Sequence, residues 1–270
     1  MLRSIPLLFA VGAAMAVSNY ESEIVQWRAD RAAGLKADGG WLSLAGLFWL
    51  HEGSNPFGKD PSNEIALPDG PAHAGVFQFH NGKVTLAGKD IKPDTDDPSV
   101  KVGRLNLYVI KRSDKYGIRV KDPESEARRS FHGLEYFPVN EEFRITARWV
   151  AEPRDLPILN MLGQTEPQPS PGYAVFRIHG QEYKLRPYIE EPGAKQLFYV
   201  FRDQTAGKET YGAGRFFYTD FPQDGKVILD FNKAYNPPCA FTPYATCPLP
   251  PAENKLALRV EAGEKRYGDH

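Results

Sequence analysis

The apolar positions of the chain follow a helical period before Gly40 and a strand period after it. The first part carries apolar side chains at roughly helical spacing: Ile24, Trp27, Ala32 and Leu35. Such spacing predicts one N-terminal helix. Ser18 and Glu21 fit a capping box, in which each side chain satisfies a free backbone N–H of the other residue, and Gly39-Gly40 ends the helix.

After Gly40, short apolar runs alternate with turn residues, which is the pattern of β-strands. Residues 41–50 are almost continuously apolar and predict a strand that is buried on both faces. Residues 75–86 predict a hairpin, because apolar and polar positions alternate on both sides of Asn81-Gly82, a type I′ turn pair. Further strands are predicted at 105–111, 116–120, 143–149, 173–178, 183–185, 197–201, 215–218, 226–231 and 256–260.

These elements predict a mainly β fold: an antiparallel sandwich or barrel of about ten or more strands with one N-terminal helix. Residues 152–172 are rich in proline and show little periodicity, so we expect a long surface loop there rather than a linker. The strand pattern resumes directly after this segment with the same character. We therefore expect residues 17–270 to form a single β-rich domain.

The first sixteen residues have the pattern of a signal peptide. A positive charge at Arg3 precedes an apolar stretch at 5–16 that is too short to span a bilayer, and Ala14-Met15-Ala16 has the small-x-small form that a signal peptidase accepts. This pattern predicts cleavage after Ala16 and export to the periplasm or the extracellular space. The alternative is a hydrophobic helix that stays attached. No later stretch is apolar and long enough to predict a membrane span.

The composition bears on the class of partner, and the two cysteines bear on a disulfide. The chain has 270 residues and a formal net charge of −1, so nothing global favours nucleic acid as a partner. In an oxidising compartment, Cys239 and Cys247 are expected to form a disulfide, which would contribute roughly 2–3 kcal/mol by the loop-entropy model. Two free thiols are the alternative, and it gains weight if the chain is not exported. The oligomeric state cannot be read from the sequence.

Motifs of the common catalytic, metal and cofactor sites are absent from the sequence, so neither a metal site nor a cofactor is predicted. His132 and Glu135 lie three residues apart in a turn-like stretch and are candidates for an acid–base pair. A helix-capping or hairpin role is the simpler interpretation. A hydrolase-like activity would need His132 to approach a carboxylate such as Asp203 or Asp230.

The densest group of polar and aromatic residues lies at 203–251, around the two cysteines and two Pro-Pro pairs. Rigid loops that display such side chains are good platforms for polar ligands. The binding candidates in this segment are Tyr211, Arg215, Asp230, Asn232 and Asn236, with His132 added from outside it. The same residue types also cap turns and satisfy backbone amides, and Arg215 can pair with Asp203 or Asp230.

Several stretches resemble a family of bacterial and archaeal proteins known as domain of unknown function 1684. They are GGWLSLAGLFWLHEGSNPFG, FHGLEYFPV, GAGRFFYTD, VILDFNKAYNPPCAFTPYATCPLPPAENKL and EAGEKRY, which together extend over nearly the whole chain after the signal peptide. The run NPPCAFTPYATCPLPP is the most specific of them. The resemblance implies one folded unit and adds no activity or catalytic residue.

A weaker local likeness joins residues 55–74 to the start of forkhead-associated domains, which are β-sandwiches that bind phosphothreonine. Those domains use a Gly-Arg turn and a Ser-x-x-His motif. Here Lys59 replaces the arginine and Gly70 stands in the serine position before His73. Because lysine lacks the planar fork of arginine, the likeness favours a sandwich fold and argues against phosphopeptide binding.

Three functions are compatible with these patterns. The first is an exported protein that binds a small polar ligand or glycan in a cleft near the C-terminal disulfide loop. The second is a hydrolase-like enzyme that uses His132 with a carboxylate. The third is a structural or protein-interaction module of the cell envelope. The first is favoured narrowly, because many polar and aromatic residues converge on residues 203–251.

Overall fold

The computed structural model describes residues 19–95 and 100–268. The predicted signal peptide, its cleavage site after Ala16 and the Ser18 cap lie outside the described residues. The predicted helix is confirmed: helix α1 extends over Asn19–Lys36 and buries Ile24 and Leu35. Within the described residues no helix is long and apolar enough to cross a membrane.

The N-terminal half of the fold contains two sheets. Its strands are β1 Leu44–Trp49, β2 Gly53–Gly58, β3 Ile65–Ala66, β4 Gly75–His80, β5 Lys83–Leu86, β6 Lys89–Ile91, β7 Val100–Val102, β8 Leu105–Arg112 and β9 Lys115–Lys121. One sheet has the order β1-β9-β8-β7 and the other β3-β2-β4-β5-β6. Side chains of both sheets form one buried cluster, in which the rings of Phe57 and Phe77 stack 4.6 Å apart.

Local turn chemistry is responsible for the hairpins that the sequence predicts. Asn81 and Gly82 both have positive φ values, 50° and 76°, as a type I′ turn requires, and they join β4 to β5. Ser113, with φ 54°, lies in the turn between β8 and β9. The predicted hairpin at 75–86 is confirmed, and so are the strands predicted at 105–111 and 116–120, which pair as a second hairpin.

The predicted strand at 41–50 is partly wrong. Trp41–Ser43 forms a 3-10 turn, and β1 begins only at Leu44. Buried and half-buried positions alternate at the start of β1 and its last residue, Trp49, is 36% exposed, so the strand is not buried on both faces. Ala45 and Phe48 of this strand are partly buried and pack against the cluster of the N-terminal half.

The C-terminal half contains a second layered arrangement. It follows the short helix α2 Glu126–Arg129, and its strands are β10 Arg144–Leu159, β11 Thr165–Ile178, β12 Gln181–Leu185, β13 Gln196–Phe201, β14 Arg215–Asp220 and β15 Lys226–Asp230. The sheet β12-β11-β10-β15 and the ribbon β13-β14 share a buried cluster, in which the rings of Tyr199 and Phe217 stack 4.7 Å apart. The mainly β prediction is confirmed, and the sheets are not closed into a barrel.

Two predictions in this half are wrong. The proline-rich residues 152–172 are not a surface loop, since β10 and β11 pair through most of them. Pro157 lies opposite Pro167, and Pro169 lies opposite Asp155, so the prolines occupy pair positions of one parity. We attribute their tolerance to the antiparallel ladder, in which alternate positions need no N–H. The segment 256–260 forms no strand, although Leu256, Leu258 and Val260 are buried in the core cluster.

The two halves keep separate main clusters, and each of the four sheets lies within one half. Contacts between the halves are made by side chains: Arg112 Nε donates to Thr246 Oγ1 at 3.0 Å, and Gln164 Nε2 donates to the Arg112 carbonyl at 3.3 Å. The single-domain organisation of 17–270 stays a prediction. A cleft lined by aromatic side chains lies at the seam between the halves.

Candidate functional site

A cleft of about 660 Å³ opens between helix α1, strand β9 and the C-terminal half. Seven aromatic side chains line it: Trp27, Trp41, Tyr188, Phe198, Phe216, Tyr218 and Tyr235. Its charged lining consists of Asp30, Arg31, Lys111, Arg112, Arg119, Glu166 and Glu190. One rim of the cleft is formed by the loop that carries Cys239 and Cys247, called the two-cysteine loop, through Pro238, Thr246 and Cys247.

The aromatic wall of the cleft is built by the strand alternation of the β13-β14 ribbon. Side chains of β13 point alternately to opposite faces, so Tyr199 enters the main cluster while Phe198 faces the cleft. The Phe198 ring lies 5.0 Å from Phe216 and 4.8 Å from Tyr218, which come from the paired strand β14. Tyr188 meets Phe198 edge-on at 5.3 Å. The wall is therefore rigid and packed from behind.

Two tyrosines and a carboxylate form the polar edge of this wall. Tyr218 is 40% exposed, and its hydroxyl donates to Glu190 Oε2 at 2.5 Å. The Tyr218 and Tyr235 rings stack 6.3 Å apart. Desolvation raises the pKa of Glu190, although the hydrogen bond from Tyr218 opposes the rise. Desolvation also raises the pKa values of both tyrosines, so they carry their protons and can donate hydrogen bonds.

Helix α1 is fixed to the cleft by Arg31. Its Nε lies 2.9 Å from Oε1 of the buried Glu264, and its Nη2 donates to the Asn236 carbonyl at 2.9 Å. The guanidinium also lies 4.5 Å from the centre of the Tyr235 ring. The positive charge of Arg31 is therefore neutralised by Glu264.

The N-terminal half contributes two arginines with different surroundings. Arg112 pairs with Asp94, with Nη1 2.8 Å from Oδ1. Arg119 is only 4% exposed, and its Nε and Nη2 have no hydrogen-bond partner among the described residues. Its guanidinium lies 5.4 Å from the centre of Trp41. No ion pair neutralises it within the described chain.

Cys239 and Cys247 lie side by side as free thiols. The backbone N–H of Cys239 donates to Cys247 Sγ at 3.2 Å, and the N–H of Cys247 donates to Cys239 Sγ at 3.3 Å. The hydrogen bond from Cys247 lowers the pKa of Cys239, while the same interaction raises the pKa of Cys247. The disulfide stays a prediction, and this proximity is compatible with it.

The binding candidates chosen from the sequence lie outside the cleft. Arg215 is 1% exposed; its guanidinium donates to the carbonyls of Val260 and Ala262 and lies 3.3 Å from Asp203 Oδ1. Asn236 Nδ2 donates to the Lys265 carbonyl at 2.7 Å. These contacts hold the C-terminal segment against the core.

Asp230 and Asn232 lie together around the Tyr20 hydroxyl. Asp230 accepts a hydrogen bond from the Tyr20 hydroxyl at 2.7 Å, and Asn232 Nδ2 donates to the same hydroxyl at 3.0 Å. Asp230 lines a second cleft of about 650 Å³ that shares Trp27, Tyr218 and Tyr235 with the first. The Tyr211 hydroxyl donates to the Cys239 carbonyl at 3.2 Å and so supports the two-cysteine loop from outside the cleft.

His132 is exposed, and no ion pair links it to a carboxylate in the described part of the chain. Glu135 contributes its backbone carbonyl, which accepts from the Lys265 N–H at 2.9 Å. The hydrolase-like alternative therefore has no geometric support at His132. Among residues 19–95 and 100–268 no group of three or more His, Cys, Asp or Glu side chains could hold a metal ion.

Sequence reasoning missed Arg119, Glu190, Tyr188 and Tyr218 as site residues. Arg119 stands between Ile118 and Val120 in an ordinary strand alternation, as Arg144 and Arg148 do in β10. Nothing in that pattern separates a cation on an exposed face from one that is buried beside a cleft. Of the sequence signals, the segment with the two cysteines is the one that borders this cleft.

Comparisons with known proteins extend this description without giving an activity. No curated protein matches the chain. The solution NMR structure of an uncharacterized protein from Haloarcula marismortui is similar, with 31% identity and a TM-score of 0.45 over 53% of this chain and 81% of that one. Residues 129–265 match the family described as protein of unknown function (DUF1684), a narrower span than the resemblance suggested. The chain therefore belongs to the DUF1684 family.

Proposed function

We propose that this chain is an exported binding protein that holds a small polar ligand or glycan in the cleft beside the Cys239–Cys247 loop. One observation carries the proposal: a pre-packed aromatic wall with polar edges lines a concave space of about 660 Å³. Ligand sites in proteins are typically about 300–1,000 Å³, mostly apolar, with a few well-placed polar groups. The cleft has each of these properties.

The chemistry of the wall favours a ligand with both a flat or apolar face and polar groups. Tyr218 and Trp27 present an apolar ring and one polar tip each, which suits stacking on a sugar or another ring together with hydrogen bonding. Glu190 supplies a carboxylate acceptor at the edge, and the Tyr218 oxygen, whose proton is donated to Glu190, can accept a further hydrogen bond. Export, which rests on the predicted signal peptide, would place the cleft where such solutes arrive from the surroundings.

Titration calorimetry with a fixed panel tests this function. The panel contains cellotetraose and two sets of three compounds. The sugar set is glucose, glucuronate and glucose 6-phosphate, and the aromatic set is benzamide, benzoate and phenyl phosphate. We expect at least one member to bind the wild-type protein and Tyr218→Ala to weaken that binding about tenfold, the loss of one stacking contact.

Trp49→Ala is the matched control, because Trp49 is a similarly exposed aromatic residue on β1 outside the cleft. It should bind the panel as the wild type does. Binding that Tyr218→Ala leaves unchanged, or no binding by any panel member, would count against the proposed function.

A further inference from the structure

Arg119 differs from the other buried arginines of the described chain in its partners. Arg186 is 3% exposed and pairs with Glu152 and with Glu253, whose Oε2 lies 3.1 Å from its Nε. Arg215 is 1% exposed and pairs with Asp203. Arg119 is 4% exposed and forms no ion pair within the described residues. It is therefore a buried cation whose counter-charge is missing.

The acidic side chains that line the cleft do not supply that counter-charge. Asp30, Glu166 and Glu190 line the same cleft, yet none of them forms an ion pair with Arg119 in the described structure. Glu190 is bound by the Tyr218 hydroxyl instead. The sulfurs of Cys239 and Cys247 lie near Arg119 and can also become negative, and the predicted disulfide would remove that possibility.

The unpartnered atoms of Arg119 have a definite geometry. Nε and Nη2 form one edge of the planar guanidinium, and their two N–H bonds are parallel. Such an edge matches two oxygens of a carboxylate or phosphate and forms strong bidentate hydrogen bonds with them. A buried cation without such a partner is costly, and proteins keep costly local arrangements mainly where function requires them.

We propose that the ligand of the cleft carries an oxoanion, a carboxylate or a phosphate, and that Arg119 binds it. This proposal rests on the proposed function, since it names the chemical class of the ligand in the same cleft. The aromatic wall would hold the rest of the molecule while Arg119 binds the anionic group. Arg112 and Arg31 are neutralised by Asp94 and Glu264, so Arg119 is the arginine of the lining that no carboxylate neutralises in the described chain, with Nε and Nη2 left to bind an anion.

The same panel tests the inference, because the members of each set share one ring and differ in whether they carry a carboxylate, a phosphate or no charged group. We expect the wild type to prefer glucuronate or glucose 6-phosphate over glucose, or benzoate or phenyl phosphate over benzamide, by about tenfold or more. Arg119→Gln should abolish that preference, and Arg119→Lys should retain part of it through its charge. Arg148→Gln, an exposed arginine outside the cleft, should keep the full preference.

The preferred anion distinguishes the carboxylate from the phosphate. Equal binding of charged and neutral members, or a preference that survives in Arg119→Gln, would overturn the inference while leaving the proposed function intact. No binding by any member would overturn both.

A second measurement does not depend on the ligand. If Arg119 is held for an anion and not for stability, Arg119→Met should melt at the same temperature as the ligand-free wild type or higher, because a buried unpaired charge is removed. A structural role for Arg119 beside Trp41 requires the opposite, a lower melting temperature. A clear drop would therefore contradict the inference even if Arg119→Gln also lost binding.

Discussion

At the scale of single residues, the partners of a buried charge decide its role. Arg215 is surrounded by acceptors: Asp203 and the carbonyls of Val260 and Ala262. Asp203 in turn accepts from the Val260 N–H at 2.8 Å and from Thr205. This network explains why a residue that looks like a binding candidate in the sequence is part of the framework. Burial lowers the pKa of Arg215, and the nearby Asp203 opposes that change.

We therefore expect Arg215→Met to reduce the free energy of unfolding by about 3–5 kcal/mol, since Asp203 is left buried without its cation. Urea denaturation followed by intrinsic fluorescence measures the change. Arg177→Met is the control: this arginine is 74% exposed and faces Glu182, so its loss should cost less than about 1 kcal/mol. Equal effects of the two substitutions would show that the buried network does not stabilise the fold.

At the scale of elements, one of the two glycines before β14 is needed because the backbone there passes close to a neighbouring strand. Gly214 has φ +116°, and a Cβ there would lie 2.5 Å from the Phe201 carbonyl oxygen and 2.8 Å from Pro250. Gly212 is open by comparison, with the nearest atom, Gly207 Cα, at 3.7 Å. Only the second glycine of the pair lets the chain pass close to a neighbouring strand and enter β14.

Gly214→Ala should accordingly destabilise the protein by about 2 kcal/mol or more, through strain at positive φ and overlap with backbone. Gly212→Ala should change stability by less than about 0.5 kcal/mol. The midpoints of chemical denaturation compare the two variants directly. If both alanines are tolerated equally, the close approach at Gly214 is not a constraint on the fold.

At the scale of the whole molecule, the cleft depends on the attachment of helix α1 to the C-terminal segment. The buried Arg31–Glu264 pair joins positions 233 residues apart. Asn236 adds its N–H to the same carboxylate at 2.7 Å. A second link, Lys233 to Glu23 at 2.5 Å, lies on the surface. Trp27 reaches the cleft only because the helix is held in this position.

Arg31→Met should loosen helix α1, because Glu264 loses its cation in a buried site, at a cost of about 3–5 kcal/mol. Hydrogen exchange of the amides of 19–36 should then become faster. Lys233→Met removes the exposed link and should change that exchange little, in keeping with a surface pair worth about 1 kcal/mol or less. Unchanged exchange in Arg31→Met would mean that α1 is held by its apolar face alone.

How far the sequence predicts this protein depends on the range of the interactions involved. Asn81-Gly82 predicts its hairpin because two adjacent residues supply the backbone conformation of the turn. The pairing of 154–159 with 165–170 cannot be predicted from adjacent residues in this way, because a proline-rich segment has the pattern of a loop unless its partner strand is known. Arg119 cannot be chosen for a similar reason: its missing counter-charge is a property of its surroundings.

The order of residues is enough to predict the helix at 19–36, the turns, the mainly β class and the DUF1684 family, because all of these depend on neighbouring residues or on a contiguous motif. The cleft exists only in the folded chain, because Arg31, Arg119 and Tyr218 come from distant elements and meet at the seam between two halves. The tertiary structure also decided which charges are paired. Pairing and burial depend on long-range packing, which a pattern of residue types along the chain does not contain.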